Sequence, residues 1–198
     1  MNRGFICIFT LDRIEELRKF LTSFKKHNSL PISILLANNT ADAHRLKTKC
    51  AFYSPFDFTC MLDIDMLVNK NLEEIFSFLS VADLGIAREQ GVKCLNSGVI
   101  IFRTEAMKKV CSEWNRIYER KLIKGFSGKQ GTWDQDILIP LLQKYNFVEL
   151  PFEYNCIIKD RTPEEELKIY DTIKIFHFLH HPEVSREKYK SYQEFMAL

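Results

Sequence analysis

The run Met61-Leu62-Asp63-Ile64-Asp65-Met66 sets two carboxylates two residues apart at the end of an apolar stretch. In extended backbone such residues project to the same side, so Asp63 and Asp65 share one small volume while Leu62, Ile64 and Met66 turn toward a core. Two carboxylates so placed repel each other unless a proton or a cation intervenes, and a hard divalent ion with oxygen ligands suits them. An Asp-x-Asp also arises as a plain strand end or turn. Here, however, half-burying two acids between apolar runs without a compensating ion would be costly.

Other segments carry polar or charged residues among apolar ones, and each has a bland reading beside any chemical one. Lys47, with Arg45 and Lys49 near it, reads either as a solvated helix face or as a cation for an anionic ligand. In Leu95-Asn96-Ser97-Gly98, small and polar residues enter an apolar strand, as a turn or as a close approach of backbone to ligand. In Trp133-Asp134-Gln135-Asp136, acids open a helix, where capping is their commonest role. On a helix Asp134 and Asp136 point to different faces, so they are not read as a metal pair. Asn155, in Leu150-Pro151-Phe152-Glu153-Tyr154-Asn155, is a turn residue or a pocket residue. His177 lies in an apolar run, where a histidine is either a satisfied core residue or a ligand.

The elements that must position these residues alternate. Phe5 to Phe9 reads as a buried strand. A helix follows with Asp12 as N-cap and Ile14, Leu17, Leu21 and Phe24 on one face, and Ile32 to Ala37 reads as a second buried strand. A polar turn over Asn38 to Asp42 leads into a helix through Arg45, Lys47 and Lys49 that ends near Ser54-Pro55. Thr59 to Leu62 then runs as a strand into the aspartates. Leu72, Ile75, Phe76 and Leu79 share a helical face. Strands are expected over Asp83 to Ala87, Val99 to Phe102 and Ile173 to Phe176, and helices over Glu105 to Lys121, Trp133 to Lys144 and Ser185 to Phe195. The glycine-bearing stretch from Lys124 to Gly131 is the candidate mobile loop and lacks the spacing of a phosphate cradle. Strands alternating with helices predict an α/β fold in a single domain, 1–198, whose ligand site lies at the carboxyl ends of the strands.

The bulk numbers agree. The 198 residues suffice for one domain with a sizeable core, and 46% hydrophobic and 13% aromatic content suits a packed globule. A formal net charge of +2 gives no reason to expect nucleic acid as a partner. The apolar run near Met1 is too brief for a signal sequence or a bilayer span, and no other stretch approaches transmembrane length. The six cysteines form no Cys-x-x-Cys pair. A cytoplasmic, reduced protein is expected, with peripheral membrane contact left open through Tyr189, Tyr192, Phe195 and Met196.

The segment from Ser54-Pro55-Phe56-Asp57 through Met61-Leu62-Asp63-Ile64-Asp65 to Asn71-Leu72-Glu73-Glu74-Ile75-Phe76 resembles the metal-site region of GT-A fold glycosyltransferases. The likeness is to the family 8 type, which includes glycogenin and lipooligosaccharide galactosyltransferases. Lys47, Asn96-Ser97-Gly98, Asp134-Gln135-Asp136, Pro151 to Asn155 and His177-Phe178 fit the same family in order. The resemblance implies a single-domain GT-A fold, with a mixed, mostly parallel central sheet flanked by helices. It also implies transfer of a sugar from a nucleotide-diphosphate donor, UDP-linked by expectation, with retention. The acceptor would be a hydroxyl of a glycan, a lipid-linked saccharide or a protein. By the same carry-over Asp63, Asp65 and His177 hold Mn2+ or Mg2+. Lys47 approaches the donor phosphates, and Ile64, Asn96, Ser97 and Asn155 line the donor site. Asp134 holds the sugar, and Gln135 lies by the reacting carbon. The family usually continues past its late histidine with a glycine and Lys-Pro-Trp, whereas this chain has Leu179-His180-His181-Pro182. His180 or His181 then stands in for the phosphate-gripping lysine. Three alternatives remain at this point: an inverting transferase with Glu89 or Asp136 as base, a phosphatase built on the aspartate pair, and a non-catalytic sugar-nucleotide or glycan binding module.

Overall fold

The computed structural model describes residues 1–88, 95–123, 134–158 and 170–178. Glu89, the stretch from 124 to 131, Trp133, His180, His181 and the helix expected over 185–195 lie outside the described residues.

In chain order the elements are β1 (Arg3–Thr10), α1 (Ile14–His27), β2 (Ile32–Ala37), α2 (Thr40–Lys47), α3 (Cys50–Tyr53), β3 (Phe58–Leu62), β4 (Met66–Val68), β5 (Leu84–Arg88), β6 (Leu95–Arg103), α4 (Thr104–Ile123), α5 (Asp134–Leu142), β7 (Phe147–Leu150), β8 (Cys156–Ile157) and β9 (Ile175–His177). Six strands form one sheet in the order β2-β1-β3-β6-β5-β7. Only β6 runs against its neighbours, so the sheet is mixed and mostly parallel, as expected. A second sheet of three short strands, β4-β9-β8, lies beside it.

The main strands read as near-continuous apolar runs because both faces of the sheet are covered. From β1, Phe5 and Cys7 enter the cluster shared with α1, and Ile6 enters the cluster shared with α4 and α5. Phe5 and Phe24 meet edge to face with centroids 4.8 Å apart, a preferred aromatic geometry. Trp114 of α4 is fully buried on the other face, and its indole N–H donates to the carbonyl of Asp134 at 2.9 Å, pinning the start of α5.

Several expectations need correction. Asp12 does not cap α1: Leu11–Arg13 forms a 3₁₀ turn, and Arg13 takes the N-cap position without a capping hydrogen bond from its side chain. The buried face of α1 is Leu17, Phe20, Ser23 and Phe24, while Ile14 is exposed. The helix is rolled so that the Ser23 hydroxyl can accept the Val68 backbone N–H at 3.1 Å, which turns a polar residue into the core. β2 is an edge strand, not a buried one, and leaves Ile34 and Leu36 exposed. The helix expected to run on to Ser54-Pro55 is two helices. α2 begins earlier, with the Asn39 side chain accepting from Asp42 N–H at 2.9 Å, and Thr48, whose hydroxyl bonds Arg45 O at 2.8 Å, marks the break. Glu73–Ser80 is 3₁₀ helix, yet Leu72, Ile75, Phe76 and Leu79 are buried together as their spacing foretold. β4, β7 and β8 had no counterpart in the sequence reading, being two to four residues long.

Candidate active site

β3 ends at Leu62, and Asp63 to Asp65 form a bend between β3 and β4, not an extension of the strand. The alternation still holds through the bend, since Leu62, Ile64 and Met66 are all buried. Ile64 therefore offers its side chain to the core, as its alternation with the aspartates predicted. Because β6 is antiparallel to β3, the start of β6 lies at the same end of the sheet as the finish of β3. Asp63 N–H donates to Gly98 O across that junction at 3.0 Å.

His177 reaches the aspartates through the small sheet. β9 pairs with β4 so that His177 lies opposite Met66, and Phe178 N–H donates to Asp65 O at 2.8 Å. One ligand atom each from Asp63, Asp65 and His177 then falls within 4.8 Å of the others. Two carboxylate oxygens and one imidazole nitrogen are a donor set that fits Mn2+ well and leaves positions for ligand oxygens. The side chain of Asp63 is 32% exposed, that of Asp65 15% and that of His177 2%, so the cluster opens toward solvent on the Asp63 side.

Behind His177 lies a buried relay of asparagines. Gly98 N–H can only donate, and it donates to Asn96 Oδ1 at 2.8 Å. Asn155 Nδ2 donates to the same oxygen at 3.0 Å, which turns Asn155 Oδ1 toward His177 Nδ1 at 2.8 Å. An amide oxygen can only accept, so Nδ1 carries a hydrogen and Nε2 is the ring atom that faces Asp65, 3.3 Å away. Gly98 is required for this seat: a Cβ there would lie 2.6 Å from His177 Cε1 and 2.9 Å from Asn96 Oδ1. Asn155 thus contacts His177 directly and Asn96 is joined to it through Asn155, links the sequence reading did not give them.

Cations answer each acid. Lys47 Nζ donates to Asp63 Oδ1 at 2.9 Å and lies 3.3 Å from Asp134 Oδ2, joining the two acids from α2. His44, one helical turn before Lys47, lies with Nδ1 2.9 Å from Asp134 Oδ1. Arg13 approaches Asp65 Oδ2 to 3.5 Å and also pairs with Glu16. Burial pushes the Asp134 carboxyl up, but Lys47 and His44 outweigh it and hold the group well below the usual carboxylate range. Burial acts likewise on Asp65 and is overcome by His177 and Arg13. Lys47 is desolvated, yet Asp134 and Asp63 raise its pKa and keep it charged.

Ser97 joins the second motif to the third: its hydroxyl donates to Asp134 Oδ2 at 3.2 Å and its N–H to Gln135 Oε1 at 3.3 Å. The structure therefore brings Lys47, Asp63, Asp65, Asn96, Ser97, Asp134, Gln135, Asn155 and His177 into one connected network, while Asp136 is exposed. Sequence reasoning missed His44 and Arg13. His44 lies three residues before Lys47 and so on the same helical face, a spacing that could have found it. Arg13 gave no such sign.

Among the described residues no helix is long and apolar enough to cross a membrane. No protein-family model matches the sequence, and no curated protein matches it. Solved structures do. The glycosyltransferase GlyE of Streptococcus pneumoniae superposes with a TM-score of 0.72 at 15% identity, over 100% of this chain and 61% of GlyE. The chain thus spans about three-fifths of that protein's length. A glycosyltransferase involved in glycosylation of the major capsid of PBCV-1 matches with a TM-score of 0.68 at 13% identity, over 98% of this chain and 100% of that one. An active-site mutant of LgtC matches with a TM-score of 0.63 at 13% identity, over 98% and 95%. At such identities the likeness speaks for the fold, and the chain has the GT-A glycosyltransferase fold.

Proposed function

We propose that the chain is a divalent-metal-dependent glycosyltransferase that moves a sugar from a nucleotide-diphosphate donor, UDP-linked, to a hydroxyl of a glycan, lipid-linked saccharide or protein, with retention. The observation that carries this reading is the convergence of Asp63, Asp65 and His177 within 4.8 Å at the carboxyl end of β3. When bound there, a divalent cation would supply neutralisation of the diphosphate as it departs.

The remaining work falls to side chains already in place. In the transfer, the bond from the anomeric carbon to phosphate oxygen breaks with its electron pair on the diphosphate, and a bond to the acceptor oxygen forms. The acceptor proton passes to the departing phosphate oxygen. Lys47, charged and buried between Asp63 and Asp134, adds positive charge on the phosphate side. Asp134, kept anionic by Lys47 and His44, can accept hydrogen bonds from sugar hydroxyls. Gln135, anchored by Ser97 N–H, offers a neutral dipole for positive charge developing at the anomeric carbon.

The test is incubation with Mn2+ and a panel of UDP-, GDP-, CDP- and dTDP-sugars, followed by assay of released nucleoside diphosphate. Release from one donor class, abolished by a chelator, is expected, with the product keeping the donor's anomeric configuration. No release from any donor would favour a binding module, and an inverted product would sink the retaining assignment.

A further inference from the structure

Arg13 stands where β1 ends, with its guanidinium 3.5 Å from Asp65 Oδ2. Its Nε is buried and has no hydrogen-bond partner among the described residues. Thr10, three residues earlier at the same strand end, is 3% exposed, and its Oγ1 is likewise buried without a partner. Two orphaned polar atoms close together at one strand end, one of them on the side chain that reaches Asp65, are unusual in a packed interior. The other cation at the aspartate pair is differently placed. Lys47 is divided between Asp63 and Asp134, and Asp134 would remain its partner whatever binds at Asp63. Among the described residues Arg13 forms no ion pair with a second acid of the site: beyond Asp65 it pairs with Glu16 on its own turn and feels Asp63 only as a weaker, longer-range attraction.

We infer that Arg13 is the clamp for the donor diphosphate, resting as the counter-ion of Asp65 and turning to the phosphates when a divalent cation takes that carboxylate. The inference rests on the donor reading above. A cation on Asp65 repels the guanidinium and removes its partner in the same event, and the anion arriving beside the cation is the group that can replace it. The planar fork of Nε–H and Nη–H matches two phosphate oxygens, a pairing a lysine cannot reproduce. The opposed effects on cation and anion set this role apart from a merely structural ion pair.

The experiment is calorimetry on the full chain and on Arg13→Gln, first with Mn2+ alone and then with UDP, GDP, CDP and ADP at saturating Mn2+. The expected result is Mn2+ affinity unchanged or tighter in the variant, with affinity for the preferred diphosphate about 10- to 100-fold weaker. The nucleoside monophosphate of the same base should lose less than about threefold. Arg13→Lys, which keeps charge without the fork, should fall between, and its melting curve serves as the check on folding. Equal loss of Mn2+ and diphosphate binding would overturn the clamp and leave Arg13 as a support for Asp65, as would no change in either. A wild-type chain that binds Mn2+ but none of the four diphosphates overturns the donor reading itself, and the clamp with it. Normal wild-type binding with an unaffected Arg13→Gln overturns the clamp alone.

Discussion

Asn155 Oδ1 accepts a hydrogen bond from His177 Nδ1 at 2.8 Å, both residues fully or almost fully buried, and the far side of Asn155 is tied through Asn96 to the backbone N–H of Gly98. The imidazole is oriented before any ligand arrives, because each link in the relay has only one workable donor and acceptor assignment. Asn155→Ala is therefore expected to lower Mn2+ affinity about 10- to 100-fold, the usual consequence of losing the partner of a metal-binding histidine. Calorimetry measures this, and 15N spectra of the Mg2+-loaded wild type should show Nδ1 as the protonated nitrogen. Unchanged affinity in the variant would remove Asn155 from the site.

Gly98→Ala tests the same seat from below. The added methyl would lie 2.6 Å from His177 Cε1 and 2.8 Å from Met66 Cε, so ring and thioether must shift. A stability loss of about 1–3 kcal/mol is expected from overpacking, together with weaker Mn2+ binding. Thermal melts and calorimetry on one sample separate the two, and a variant as stable and as metal-competent as wild type would show that the seat is loose.

Asp65→Asn keeps the shape of the side chain and removes its charge. Mn2+ affinity should fall by at least about tenfold, near 1.4 kcal/mol, and the metal-dependent part of donor binding should go with it. Donor affinity identical with and without Mn2+ in the wild type would count decisively against the metal site.

The Asp134 carboxyl is held below its ordinary value despite burial, chiefly by Lys47 and His44. An unfolded aspartate titrates near about 3.9, so as pH falls the unfolded chain takes up this proton first. The stabilisation from Asp134 is complete above about pH 4 and is lost as pH falls toward the folded value. Asp134→Asn should thus melt below wild type at neutral pH, with the gap closing in acid. A gap that stays constant down to about pH 2 would mean that the carboxylate charge is not what matters.

Much of the architecture was legible because apolar period reports burial directly. The bounds of β2, the strand into the aspartates and the Leu72, Ile75, Phe76 and Leu79 face all followed from it. The burial of β2 did not, since an edge and a central strand share the same apolar composition and differ only in their neighbours. The expected apolar face of α1 did not include Ser23, whose burial depends on a backbone N–H forty-five positions away.

At the site the division is similar. Spacing alone singled out Asp63 and Asp65, and the resemblance to the family 8 glycosyltransferases added Lys47, Asp134, Gln135 and His177, because carboxylate spacing and motif order are properties of the chain. What only tertiary structure decided is which groups face which: that β4 and β9 pair to set His177 against Asp65, that Lys47 spans two acids, and that Asn96 and Asn155 orient a histidine. Each of those facts depends on contacts between residues far apart in sequence, and hydrogen-bond direction across such contacts has no periodic trace in the chain.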